Sequence, residues 1–416
     1  MSKVPVGWEV KNLGDIATVT SGGTPSRDNI EYWNGAIPWV RTTEVKNCPL
    51  YYNDIKEFIT EDGLKNSSAK LVPENSVLIA MIGQGKTRGQ VAILKLPACT
   101  NQNCGIAIFD SNSDADFYFQ FLLSQYEAIR KFSNSAGQSN LSGALLKKIT
   151  MPVPPLPEQT KIAQILSTWD KAIATTEKLI GNSQQQKKAL MQSLLTGKKR
   201  LPGFEGEWLS EELGSLGETY SGLTGKTKED FGSGYPYISY MNVYKNIEIN
   251  IDFSEKVNVG PKENQSRVSY GDIFFTTSSE TPEEVGMSSV LLSHIEDTYL
   301  NSFCFGYRLF TFEKILPEFC KFVFRGDEMR RKISKLAQGA TRYNLSKKRL
   351  MLLRIVLPPL PEQQKIAAVL TAADNEIDLL QKKLAFLKQE KAALMQQLLT
   401  GKRRVKVHTT EECMDA

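Results

Sequence analysis

Two stretches of the chain carry apolar residues at alternating spacings of three and four, the period of a helix with one buried stripe. In the second stretch the stripe runs Ile366, Leu370, Ala373, Ile377, Leu380, Leu384, Leu387, Leu394, Leu398, with one lapse at Lys391. In the first it runs Ile162, Leu166, Trp169, Ile173, Ile180, Leu190, Leu194, with Thr176, Ser183 and Lys187 on the same seam. Gly181 weakens this copy by about 1 kcal/mol relative to alanine. Pro157 and Pro361 stand where each helix begins, and a proline is tolerated there because its missing N–H has no partner in any case. Glu158 and Glu362 follow in the first turn, where they favour the helix dipole. Gly197 and Gly401 mark the far ends, followed by Lys198-Lys199-Arg200 and Lys402-Arg403-Arg404. A helix of about 40 residues is about 60 Å long at about 1.5 Å per residue. With a single apolar stripe it has to bury that stripe against its copy or a partner. Antiparallel pairing with pseudo-twofold symmetry is expected.

The helices are copies of one another. Pro154–Ile162 is PPLPEQTKI and Pro358–Ile366 is PPLPEQQKI; Leu190–Lys198 is LMQSLLTGK and Leu394–Lys402 is LMQQLLTGK. Between 156–200 and 360–404, 23 of 45 positions are identical, which rules out chance. The preceding regions correspond more loosely: Ser21-Gly22 with Ser221-Gly222, Ile37-Pro38-Trp39-Val40 with Tyr235-Pro236-Tyr237-Ile238, and Asn140-Leu141-Ser142 with Asn344-Leu345-Ser346. The order is therefore globular, helix, globular, helix. The expected boundaries are 1–155, 156–200, 201–359 and 360–404, with a tail at 405–416.

In the globular parts, short β-rich runs alternate with helical ones, which predicts an α/β class. Strands are expected at Ser76–Ile82, Gln90–Lys95, Gly105–Phe109, Asp272–Thr277 and Cys304–Phe312, and helices at Ala115–Phe132 and Lys314–Leu336.

Composition narrows the function. Of 416 residues, 41% are hydrophobic and 23% charged, an ordinary globular balance. No secretion leader or membrane-spanning run is visible, so a cytoplasmic protein without a membrane partner is expected. Six cysteines without a C-x-x-C pair and two histidines argue against a structural zinc site and for reduced thiols. Residues 1–200 hold 23 Lys and Arg against 17 Asp and Glu, a net of +6, leaving −1 over the remainder. A basic half makes nucleic acid a plausible partner.

The loops carry side chains able to contact base edges or phosphates. Candidates in the first domain are Arg41, Gln84, Lys86, Arg88, Asn101, Gln102 and Asn140. In the second they are Lys226, Tyr240, Asn242, Ser279, Arg342, Tyr343 and Asn344. Gly83-Gln84-Gly85-Lys86-Thr87 looks like a phosphate-binding loop, but Ala80 stands where that motif needs glycine. An ATP site is not expected. Neither an N/D-P-P-Y/F methyltransferase motif nor H-E-x-x-H is present.

The duplicated frame resembles the specificity subunit of type I restriction-modification enzymes. The resemblance rests on Trp8, Leu13-Gly14-Asp15-Ile16, Ser21-Gly22-Gly23-Thr24-Pro25, the run Tyr32–Val40, Gly137–Ser142 and the two PPLPEQ-x-KIA helix starts, and it covers nearly the whole chain. It implies two target-recognition domains separated by two antiparallel coiled-coil helices. Each domain would read one half of a split double-stranded DNA target, and the helices would fix the gap. Partners would be two modification subunits, which bind S-adenosylmethionine and methylate adenine, and motor-nuclease subunits that cleave with ATP and Mg. This chain would hold no cofactor, metal or catalytic residue. The rivals are an autonomous ATPase or methyltransferase and a coiled-coil scaffold without DNA readout.

Overall fold

The computed structural model describes residues 4–83, 85–135, 140–252 and 255–407. It divides into two compact units, Met1–Glu177 with Lys383–Ala416, and Lys178–Lys382. The division falls within the two long helices, Leu156–Leu194 and Leu360–Leu398, each of 39 residues, so each unit owns half of each helix.

In the first unit a five-stranded sheet has the order Ala17–Ser21, Cys104–Phe109, Val77–Ala80, Val91–Leu94, Cys48–Leu50. All neighbours are antiparallel except the last pair. Val77–Ala80 and Val91–Leu94 are buried throughout, because both faces of the sheet are covered. Alternation assigns the faces. Val77 and Ile79 join a core with Leu13, Phe117 and Leu122, and also with Ile162, Leu166 and Leu398 of the long helices. Leu78 and Ala80 join a second core with Val40, Val45 and Ile106. A smaller three-stranded sheet has the order Glu57–Ile59, Trp33–Val40, Cys99–Thr100.

The second unit repeats this plan. Its four-stranded sheet is Gly217–Ser221, Cys304–Leu309, Ile273–Thr276, Ser288–Val290. Ala17 pairs with Phe109 and Gly217 with Leu309, the same register 200 residues on. Trp33–Val40 shifts register between Trp33 and Ile37, and Phe231–Ile238 shifts between Phe231 and Tyr235. The duplicated domains are thus the same α/β fold with different side chains.

The expected strands all fall on observed ones. Each expected globular helix is two. The first is interrupted at Gln125 into Ala115–Ser124 and Tyr126–Ser135, and the second at Phe324–Gly326 into Pro317–Val323 and Asp327–Ser334. Gly326 takes an extended conformation as the N-cap of the last of these, which ends the preceding helix.

Every stripe residue named above is buried or half-buried. Of the polar lapses, Lys391, Lys187 and Ser183 are paired across the two helices within each unit, while the Thr176 hydroxyl donates to Ala172 O of its own helix. In the first unit Lys391 Nζ lies 2.5 Å from Asp170, and Lys388 2.7 Å from Glu177. In the second, Lys187 pairs with Asp374, and Ser183 Oγ donates to Glu376. Residue numbers rise on one helix as they fall on the other, so the segments are antiparallel within each unit. Lys187 and Lys391 are equivalent under the 204-residue repeat, as are Asp170 and Asp374. Gly197 and Gly401 have φ of 68° and 70°, the left-handed cap that glycine adopts without a Cβ penalty.

The PLPEQ starts do more than begin a helix. Glu362 accepts from Arg200 Nε and Nη2 (2.6 and 2.7 Å) and from Trp208 Nε1 (3.2 Å). Glu158 accepts in the same way from Arg404 and from Trp8 Nε1 (2.9 Å). Gln159 and Gln363 each donate to the carbonyl of a preceding proline and accept from a main-chain N–H of the globular part, Asp114 and Leu316. No helix among the described residues is long and apolar enough to cross a membrane.

Candidate nucleic-acid interface

In each unit two antiparallel neighbours, Val77–Ala80 with Val91–Leu94 and Ile273–Thr276 with Ser288–Val290, are joined by a hairpin connection, exposed at Gly83, Gly85 and Lys86 in the first and at Glu280, Thr281 and Glu283 in the second. Asn-Leu-Ser closes its base both times. Leu141 N–H donates to Met81 O, and Leu345 N–H to Thr277 O, both at 2.9 Å. Ser142 and Ser346 then cap the next short helix by accepting from Leu145 and Arg349. The sequence triplet is therefore a device that fastens the loop to the core.

Lys86 is exposed on the first hairpin, Arg88 half-buried, and Asn140 exposed beside its base. Gln84 lies outside the described residues. The hairpin leads into the strand Val91–Leu94 and not into a helix, so the helix N-terminus that cradles phosphate in a P-loop is absent at this position. Arg41, Asn101 and Gln102 form a second group. Asn101 N–H donates to Val40 O, and its side chain accepts from Thr42 (2.8 Å). Gln102 accepts from Thr24, and Arg41 Nη1 is 3.4 Å from Glu57. Arg27, unmarked by the sequence reading, shares Glu57 at 2.7 Å and lies 3.7 Å over the Trp33 ring.

In the second unit Tyr240, Ser279 and Arg342 line one cleft of about 540 Å³ with Tyr244, Glu280 and Glu284. Tyr343 and Asn344 pair with Ser279 and Ser278 as a short ladder under it. Tyr240 stacks on Tyr244 at 5.9 Å, and its hydroxyl donates to Ser278 O. Burial raises its pKa. Ser279 is itself buried, with its hydroxyl turned to Thr281 O, so it shapes the cleft more than it fills it.

Two candidates stand apart from that cleft. Lys226 keeps only 4% of its side chain exposed; its ammonium donates to Asn258 O (2.6 Å) and Glu263 (2.7 Å). The hydrogen bond from Lys226 holds the Glu263 carboxyl down to about 2. Asn242 donates to Asn250 O and accepts from Asn250 N–H and Asn246, which folds the turn around it. Both side chains are engaged in local structure.

Among the described residues no group of three or more His, Cys, Asp or Glu is placed to hold a metal ion.

A family model for the type I restriction modification DNA specificity domain matches residues 5–182 and again 205–389. The chain is 26% identical to the type I restriction enzyme MjaIX specificity subunit of Methanocaldococcus jannaschii, over 97% of this chain and 95% of that protein. It is 32% identical to the EcoR124I/EcoR124II specificity subunit of Escherichia coli over 39% of this chain and 41% of that one. Its fold is similar to the crystal structure of a type I restriction-modification S subunit from M. genitalium, with a TM-score of 0.58 and 16% identity over 96% and 97% of the two chains. With the duplicated frame accounting for both matches, the chain belongs to the type I restriction-modification DNA specificity family, as a sequence-specificity subunit.

Proposed function

We propose that this chain reads a split double-stranded DNA target, one half with each duplicated domain, and directs partner subunits to it. The carrying observation is that one α/β frame occurs twice with the same registers, while the residues of its hairpins and clefts differ. Such a pair suits two different ligands of one kind. Arg and Lys can contact guanine or phosphate, and Asn and Gln can contact adenine. In the first domain Arg41, Gln84, Lys86, Arg88, Asn101, Gln102 and Asn140 are the proposed contacts, and in the second Tyr240, Arg342, Tyr343 and Asn344. Ser279 shapes the cleft that holds Tyr240 and Arg342, while Lys226 and Asn242 order local turns.

The two long helices act as an antiparallel coiled coil along the stripe, and their length sets the unread gap. Two modification subunits bind this chain and methylate adenine with S-adenosylmethionine; motor-nuclease subunits use ATP and Mg to cleave. The chain itself is non-catalytic and binds none of these cofactors. Its place is the cytoplasm.

The test is to replace residues 1–155 by the corresponding domain of another family member and map modified adenines genome-wide. One half of the target should change and the other persist. A change in both halves, or in neither, defeats the reading; no DNA binding even with the partner subunits would favour a plain scaffold.

A further inference from the structure

The two hairpin loops are held from behind by arginines in corresponding places. Ile129 and Met329 are buried on the helices Tyr126–Ser135 and Asp327–Ser334, and the next residue on each is Arg130 or Arg330. Arg130 Nη2 donates to Gly85 O and Nη1 to the Tyr126 hydroxyl, both at 2.7 Å. Tyr126 in turn donates to Lys86 O at 2.6 Å. Arg330 Nη1 donates to Gly286 O (2.6 Å), and Nη2 to Glu283 O (2.8 Å) and Val285 O (2.6 Å).

These loops need such help. The first contains Gly83, Gly85 and Gly89 at φ of 132°, 70° and 85°, a course with little conformational preference of its own. Among the described residues its main-chain bonds Gly89 N–H to Ala80 O and Gln90 N–H to Thr87 O lie at the base. The tip carbonyls of Gly85 and Lys86 are taken by the helix. An added Cβ at Gly89 would lie 2.9 Å from Arg130 Cγ, so that side chain is packed directly beneath the loop. A guanidinium is a planar fork with five donors, which suits several carbonyls at once, whereas a lysine ammonium is a point charge. Burial pulls Arg330 down to about 10, which still leaves it charged at neutral pH with every donor present.

We propose that Arg130 and Arg330 are the positioning residues of target readout: Arg130 sets the main-chain course of the loop that carries Lys86 and Arg88, and Arg330 that of the loop whose Ser279, Glu280 and Glu284 wall the cleft of Tyr240 and Arg342. This rests on the reading of Lys86, Arg88 and the Tyr240–Arg342 cleft as DNA-facing given above. Neither arginine contacts a base; each acts through the loop it holds.

The experiment uses the full complex with its modification subunits, and compares modification of matched sites with sites bearing one mismatch in either half. Arg330→Met should lower discrimination in the second-domain half by about tenfold, the order of a single mismatched base pair, and leave the other half within about twofold. Arg130→Met should do the reverse. Arg330→Lys should restore part of the discrimination, having fewer donors for the three carbonyls. Tyr126→Phe removes one bond to Lys86 O and should relax the first half by about threefold; it provides the test should the arginine variants fail to assemble. Equal losses in both halves, or no loss in an assembled variant, overturn the proposal. If instead the domain swap leaves the target untouched, the underlying reading has failed and not the arginine clamp alone.

Discussion

Glu362→Gln isolates the contact that anchors the start of the second long helix. The carboxylate is fully buried, and its partner Arg200 is 26% exposed. Three donors converge on it, two from the guanidinium and one from Trp208. Glutamine keeps the volume but turns one terminal atom into a donor facing donors. Hydrogen bonds to a charged group contribute about 1.5–3 kcal/mol, and breaking a buried pair costs about 3–5 kcal/mol. Arg200 reaches water, which argues for the lower part of that range, so a loss of about 2–4 kcal/mol is expected from the second unit. In a unit of this size that corresponds to a melting shift of about 5–12 °C. Urea unfolding followed by hydrogen exchange in Lys178–Lys382 measures it. Replacing both partners, Glu362→Leu with Arg200→Met, should recover most of the loss, because an apolar pair leaves no charge unpaired. The equivalent Glu158→Gln should cost less, since Glu158 is 10% exposed and Arg404 41%. A cost under about 0.5 kcal/mol for Glu362→Gln, or a double variant no better than the single, would refute the reasoning.

Deleting one heptad from residues 178–189 should shorten the required gap between the two target halves, read from the spacing of modified adenines; an unchanged gap counts against the helices as spacers. Gly222→Ala should destabilise the second unit by about 1–3 kcal/mol, because its Cβ would lie 2.1 Å from Asn301 O; Gly22→Ala, with Thr100 O at the same distance, should behave alike in a thermal melt of the first. Iodoacetamide at pH 8 should spare Cys99, Cys104 and Cys304 in the native chain, as burial pushes these thiols up to about 11, 12 and 12 and the thiolate is the reactive form. Mass spectrometry showing rapid native labelling would contradict this.

Much of this protein is written locally. The 204-residue repeat, the stripe Ile366 to Leu398 and the Pro and Gly limits of each helix follow from period and capping, which depend on neighbours a few residues apart. So do the strands Val77–Ala80 and Val91–Leu94, whose continuous apolar runs demand cover on both faces. The break at Gln125 was less legible, because the apolar pattern continues across it and the cap is a matter of two dihedral angles.

Partners were the part that tertiary structure alone decided. Glu158 looks like a dipole-compensating first-turn acid, yet its cation is Arg404, 246 residues away. Lys187 and Lys391 look like faults in the seam and are its cross-helix ion pairs. Lys226 looks like a free loop cation and is spent on Glu263, while Arg130 and Arg330, plain helix residues in sequence, reach across to the hairpins. Periodicity tells which face of an element is buried, because that face is set by the element's own geometry. Which distant charge meets which is set by how the elements pack, and a linear pattern carries no record of that.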